Sequence, residues 1–426
     1  MPVSTLMRIA RDGGRPELYH LPDLGSLDWR PEDRLAAVRQ VVGTTTEPAQ
    51  VVILDTKGTL TAMRLEAGRT RTVVQDAALA ALSADGGLYT VDTSGAAWEV
   101  GRRTPERYRA HFDQVPDALW AGASGTLVGL DSSGSVLEVF GISDTVAVRP
   151  IEAGSVAADQ WADLVAVAAD SAVWLYDPNS ARAPKQVKAG PGAARAAFSP
   201  SGHQLYVATT RGKLAVIDRF SGKVRNRISL PGPAMDVRTD PYGRWLLVRP
   251  ATGDSIWVVD LDHDSLIGGV PGTWAPDLPM VTSPNTLVSR DRNDVIARKL
   301  TDPGLPEAGR IAGGATALWI AVPWSPVRED LAAAALAADS AADTTADSAA
   351  TKVYLQVSSS QNPEWAAELV KKLGAAGLSA SVLKPAAATD PYRVVLGPYP
   401  SRDAAEASGK TLGMPYFVIT LPAEPN

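Results

Sequence analysis

The sequence predicts an all-β propeller of seven or eight blades, eight preferred, followed by a small α+β domain. Three observations carry this reading. Residues 1–324 repeat a strand-rich unit about every 40 residues, residues 325–351 abandon that pattern for alanine and small polar residues, and residues 352–421 alternate strand and helix patterns.

Each unit of the repeat opens with an extended apolar segment and a polar turn. The clearest turns are Ser83-Ala84-Asp85-Gly86, Ser199-Pro200-Ser201-Gly202 and Asp240-Pro241-Tyr242-Gly243. Proline presets φ and glycine accepts positive φ, so these tetrapeptides reverse the chain at low cost. Strands follow at Gly87–Val91, Gln204–Ala208 and Arg244–Val248, then at Ala172–Asp177, Lys213–Asp218 and Ser255–Asp260, with an outer strand such as Lys223–Leu230. Units start near Leu24, Ala77, Asp117, Ser155, Ala193, Pro233, Trp274 and Ala315, with a longer first interval. A four-stranded sheet has two apolar faces and cannot bury either alone, whereas a ring of such sheets buries both. Eight starts favour eight blades, the last completed by pairing residues 315–324 with Thr5–Ala10 and Glu17–Leu21. The Ser-Pro-Ser-Gly turn and Leu214-Ala215-Val216-Ile217-Asp218 resemble WD40-like and YVTN-like propellers; the resemblance implies architecture and no activity.

Composition narrows the function classes. The chain has 426 residues, a formal net charge of −6 and no cysteine. Disulfides, thiolate nucleophiles and cysteine-ligated zinc are excluded, and a mild acidic excess argues against sequence-independent nucleic-acid binding. No run of 18 apolar residues exists, so no transmembrane helix is expected. Residues 1–14 lack a basic stretch followed by an apolar core, so they do not read as a secretory signal. From 331 to 350, 11 of 20 residues are alanine, with Asp339, Asp343 and Asp347 spaced by four. Such a segment cannot build a core and reads as a linker (325–351), spanning roughly 25–30 Å as a flexible coil.

Residues 352–421, with 422–426 as a tail, read as βαββαβ, the ferredoxin-like order. Lys352–Ser358 alternates as a strand. Asn362–Leu373 carries Ala366, Leu369, Val370 and Leu373 on one helical stripe, ended by Gly374 and Gly377. Leu378–Leu383, Tyr392–Leu396 and Tyr416–Thr420 are strands, and Ser401 caps a second helix reaching Leu412. Alternation puts Leu355, Val357, Val394 and Leu396 toward the helices, and Tyr354, Gln356, Ser358, Arg393 and Val395 on the open face.

Gln356-Val357-Ser358-Ser359 and Tyr392-Arg393-Val394-Val395-Leu396-Gly397-Pro398-Tyr399 resemble the first- and third-strand motifs of SPOR domains. This chain departs from them at Ser358, where glycine is usual, and at Val395, where a second arginine is common. The resemblance implies binding to bacterial peptidoglycan glycan strands stripped of their stem peptides, and a periplasmic or cell-envelope location. Gln356, Arg393, Ser358 and Tyr354 are the candidate glycan-binding residues. An amide, a guanidinium, a hydroxyl and an aromatic ring suit sugar hydroxyls, lactyl carboxylates and apolar ring faces. Tyr399 reads as a loop anchor.

Competing chemistries are weaker. RNA-recognition motifs share the βαββαβ order but stack bases on open-face aromatics, which the centre of the third strand lacks. His20, His111, His203 and His263 are scattered over different repeats, and Asp260-Leu261-Asp262-His263-Asp264 reads as a hairpin turn rather than a cation loop. Trp174 and Trp257 occupy equivalent repeat positions and read as blade packing. Arg102, Arg103, Arg107 and Arg109 read as a solvated loop cluster. No catalytic set, metal or cofactor is expected. The sequence favours a non-enzymatic envelope scaffold engaged in cell division whose propeller holds an unknown protein partner. A wall-tethered propeller enzyme and a cytoplasmic interaction module are the alternatives.

Overall fold

The structure is a computed structural model. It describes residues 5–101, 107–122, 125–131, 136–140, 146–151, 154–170, 172–178, 180, 182–282, 285–326, 351–360, 363–375, 378–384, 392–401, 404–405, 408 and 417–422. The chain divides into two compact units, Met1–Pro326 and Val327–Asn426. Residues 327–350, most of the expected linker, lie outside the described residues.

The first unit is an eight-sheet propeller. Seven four-stranded antiparallel sheets, blades 1 to 7, span residues 38–74, 77–111, 118–150, 155–187, 193–229, 234–271 and 280–311. In each, the strands pair in chain order. The eighth sheet is composite: Leu318–Val322 pairs with Thr5–Ile9, which pairs with Glu17–His20. The turn tetrapeptides work as their chemistry dictates. Asp240 accepts from the backbone N–H of Trp245 at 2.9 Å, and Ser199 Oγ accepts from that of Gln204 at 3.1 Å. Trp174 and Trp257 lie in the third strands of blades 4 and 6 and pack in the wedges before those blades.

Blade 1 starts at Val38, not near Leu24. Residues 22–37 contain Pro22, Pro31 and a run of charges, which suit a connection better than a ladder. This connection is fastened by Trp29 Nε1, which donates to the Leu65 carbonyl at 2.8 Å, and by Asp33, which accepts from the Thr70 N–H at 2.6 Å. Arg109 also departs from expectation. It is buried, and its guanidinium donates to the Gly125 carbonyl at 3.0 Å and lies 3.8 Å from Glu99. Arg102 and Arg103 lie outside the described residues.

A buried ion pair joins blade 7 to the composite sheet. Arg290 donates to both oxygens of Asp277, at 2.8 and 2.6 Å, and to the carbonyls of Ala315 and Ala317. Asp277 also accepts from the Trp319 N–H at 2.8 Å. Side-chain exposure is 5% for Arg290 and 11% for Asp277. Both carboxylate oxygens and all three guanidinium nitrogens are thus bonded, the condition under which a buried pair is tolerated.

The second unit has a four-stranded antiparallel sheet. Its strands are Thr351–Ser360, Ala380–Leu383, Tyr392–Tyr399 and Phe417–Pro422, in spatial order second, third, first, fourth. This is the ferredoxin-like order. The helix Pro363–Ala375 runs through Gly374 rather than stopping there, and the Leu378 N–H closes it on the Leu373 carbonyl at 3.0 Å. Ala404, Ala405 and Ser408 are helical, and Ser401 Oγ caps the Ala404 N–H at 3.2 Å. The rest of the expected second helix lies outside the described residues. Leu355, Ala366, Leu373, Val394, Leu396 and Ala405 form the core.

Burial alone would raise the Asp277 carboxyl, but the hydrogen bonds and charge of Arg290 outweigh it and hold the carboxyl below its ordinary value. A carboxyl depressed on folding contributes stability that is complete above the unfolded value and is lost as pH falls through the folded one. Arg290→Met is therefore expected to cost ~3–5 kcal/mol by stranding Asp277, whereas the pair Arg290→Met, Asp277→Leu recovers most of it. Urea unfolding followed by tryptophan fluorescence checks both, and the double variant should lose part of the acid sensitivity of the wild type.

Candidate functional site

The open face of the C-terminal sheet is set by the ladder between the first and third strands. Leu355 pairs with Leu396 and Gln356 with Val395. A β-bulge follows: Val357 is the extra residue, so Ser358 pairs with Val394, Ser359 with Arg393 and Ser360 with Tyr392. Residues directly opposite in a ladder share a face. Gln356 therefore stands in a row that runs from Phe417 on the fourth strand, through Val395, to Ser381 on the second. Arg393 stands two rows on, past the Ser358–Val394 pair, between Ser359 and Leu383.

The four candidates divide accordingly. Gln356 and Tyr354 are half-buried and alternate with Val353, Leu355 and Val357, which pack on the helix side. Arg393 is exposed. Ser358 departs from strict alternation, because the bulge gives it the register position of core residue Val394 and brings Ser359 opposite Arg393 instead; its side chain lies outside the described atoms. A bulge spends one residue without advancing the partner strand, and everything beyond it changes face. Val395 also differs: it stays outside the helix-side core yet has 0% exposure. Ser359, Ser381 and Phe417 are positions that sequence reasoning missed. The bulge that recruits Ser359 has no signature in a run of three serines.

The third strand ends at a fixed corner. Gly397 has φ of 121°, and a Cβ there would lie 2.9 Å from Tyr399 Cδ2. Tyr399 packs at the edge of the core, and its hydroxyl is 3.0 Å from Ser408 Oγ, tying the strand to the second helical segment. The Gly-Pro-Tyr sequence thus orients the strand that carries Arg393.

Residues 349–414 match the SPOR domain family model. The chain carries a SPOR domain. Among curated proteins, none matches the chain. Solved structures similar to it are propellers of low identity. Apo AztD from Citrobacter koseri is 10% identical, with a TM-score of 0.51, covering 77% of this chain and 100% of that one. The dihydro-heme d1 dehydrogenase NirN in complex with DHE is 13% identical, with a TM-score of 0.53, covering 76% of each chain. The C-terminal WD40 domain of Sif2 is 12% identical, with a TM-score of 0.50, covering 64% of this chain and 87% of that one. At such identities the likeness concerns the fold alone.

On the propeller, His20 and His111 end strands of the composite sheet and of blade 2, and His203 and His263 lie in turns of blades 5 and 6. His20 is 3.0 Å from Asp23 and His263 is 3.0 Å from Asp260, each across a local turn. Asp260 also accepts the backbone N–H of Asp262 at 2.9 Å, so the acidic run is a hairpin turn between the third and fourth strands of blade 6. The innermost strands surround a channel mouth of about 500 Å³, reached by Gln40, Ser83, Trp120, Asp159, Ser199 and Thr239. Burial and the adjacent Asp163 push the Asp159 carboxyl up to about 6, against the pull of Arg219. Its side chain is fully buried, bonded to Arg219 at 2.7 Å and to the Asp163 N–H at 3.1 Å. Asp159 therefore holds a turn and joins blades 4 and 5.

In the SPOR domain, Gly397→Ala is expected to destabilise that unit by ~1–3 kcal/mol through backbone strain and the clash with Tyr399. Calorimetry of the full chain should show one transition moving down while the propeller transition stays in place.

Proposed function

We propose that this chain is a non-enzymatic cell-envelope protein that holds peptidoglycan glycan strands on its SPOR domain and a protein partner on its propeller. The SPOR match is the observation that carries the glycan half. The geometry supports it: Gln356 and Arg393 occupy alternate rows away from the helix core, with Tyr354 on the same strand as Gln356. An amide, a guanidinium and a ring edge along extended strands fit a polymer of hydroxyl and acetamido groups with sparse carboxylates. Glycan freed of stem peptides would reach this face with least obstruction, which favours action at the division site.

The scaffold half rests on the propeller's surface. In each antiparallel blade, the turn after the first strand and the turn after the third lie on the same side of the ring. Trp161 in blade 4, Phe220 in blade 5 and Tyr242 in blade 6 all lie in such turns, exposed by 42%, 67% and 57%. Arg219 links the first two: it bonds Asp159 and Asp163, which flank Trp161, and its guanidinium lies 5.4 Å from the Phe220 ring centre. Exposed aromatics beside an arginine have the composition of a protein-binding hot spot.

Two measurements test this reading. Full-length protein should be retained on purified sacculi, more strongly after amidase has removed the stem peptides. The Gln356→Ala, Arg393→Ala double variant should bind about thirtyfold more weakly or worse, as loss of one neutral and one charged hydrogen bond predicts. Equal retention of wild type and variant would remove those residues from the site, and no retention of either would remove the glycan function. An alkaline phosphatase fusion should be active in cells if the protein works in the envelope; an inactive, stable fusion would favour the cytoplasmic reading.

A further inference from the structure

The wedges between neighbouring blades are filled by side chains from two sheets. Among the described residues, seven of the eight wedges contain an aromatic ring, such as Phe112 between blades 2 and 3, Tyr206 between blades 5 and 6, and Trp319 between blade 7 and the composite sheet. The wedge between blades 1 and 2 contains none. Its members are valine, leucine and alanine only, Ala62, Ala77 and Ala80 among them. The space is not closed. A cleft of about 520 Å³ opens there, between an apolar floor that includes Val52, Ala62, Leu88 and Val100 and a rim that carries Arg64, Arg69 and Arg71.

The strand register explains why three arginines share that wall. Gln50 stands opposite Arg64, and Arg64 opposite Arg69; Val52 stands opposite Ala62, and Ala62 opposite Arg71. All lie on the face of blade 1 that looks toward blade 2. Like charges directly opposite in a ladder repel, so this arrangement calls for anionic neighbours. Arg69 has one, Glu32 at 2.5 Å. Arg64 and Arg71 are exposed and have no ion-pair partner among the described residues.

An open apolar cleft in a wedge without an aromatic ring, beside two guanidinium groups that lack an ion-pair partner among the described residues, is complementary to one class of ligand. We infer that the cleft between blades 1 and 2 binds a small amphipathic anion, an apolar or aromatic body bearing a carboxylate or sulfonate. The body takes the place of the ring that this wedge lacks, and the head accepts hydrogen bonds from Arg64 and Arg71. The volume falls within the range of about 300–1,000 Å³ common for small-molecule sites. The site is separate from the SPOR sheet and does not depend on glycan binding.

The test uses anilinonaphthalene sulfonate as the anionic probe and uncharged phenylnaphthylamine as its matched control, each titrated into the full-length protein and followed by fluorescence. Saturable binding of the sulfonate is expected. Arg64→Gln with Arg71→Gln should weaken it by about tenfold or more while leaving the neutral probe and the thermal midpoint unchanged. Val73→Trp, which adds an indole to the cleft wall, should abolish binding of both probes. Absence of saturable sulfonate binding by the wild type, or equal sulfonate affinity in wild type and arginine variant, overturns the assignment.

Discussion

Everything in the larger unit depends on closing the ring. Each four-stranded sheet has two apolar faces, and a blade at an open end would leave one of them in water, at about 25 cal/mol for every Å² exposed. Pairing Thr5–Ile9 with Leu318–Val322 removes both ends at once. The buried Arg290–Asp277 pair then locks the last complete blade to that composite sheet, with Trp319 held by its own N–H on the same carboxylate. A charge pair inside an apolar ring is a poor source of net stability. Here it fixes which strand meets which, since only the strand that brings the Ala315 and Ala317 carbonyls and the Trp319 N–H satisfies it.

The smaller unit obeys a different constraint. Its sheet is covered on one side by the helices, and the other side carries Gln356 and, two rows away, Arg393. The bulge at Val357 decides which serine stands across from Arg393. The φ of Gly397 and the Tyr399–Ser408 contact set the end of the strand that presents it. The candidate site is thus carried by strand backbone, which positions side chains better than loops do.

Much of this was legible in the sequence. Ser199-Pro200-Ser201-Gly202 and Asp240-Pro241-Tyr242-Gly243 marked real turns, and Lys213–Asp218 and Ser255–Asp260 were strands at those bounds. The closing sheet could be read because an orphan strand at each end of the repeat array has no other way to pair. The misses share one cause, which is that they depend on three-dimensional neighbours. Leu24 begins an apolar patch, but it leads into a connection laid across other blades. Arg109 belongs to a basic run, yet the Gly125 carbonyl draws it inside. Val395 alternates outward and is still buried, and a bulge among serines leaves no periodic trace. The cleft between blades 1 and 2 appears only when all the wedges are compared.

The composite sheet also governs the order of events during synthesis. Ile9 and its partner Leu318 are separated by roughly 300 positions, so the first strand leaves the ribosome long before its inner neighbour exists. Until then Thr5–Ile9 has only Glu17–His20 beside it, and one of its edges stays open to any passing strand. The SPOR segment follows the closing strand in the chain. By the time it is made, both strands that seal the ring have already been translated, so the SPOR domain is joined to a propeller that can be complete.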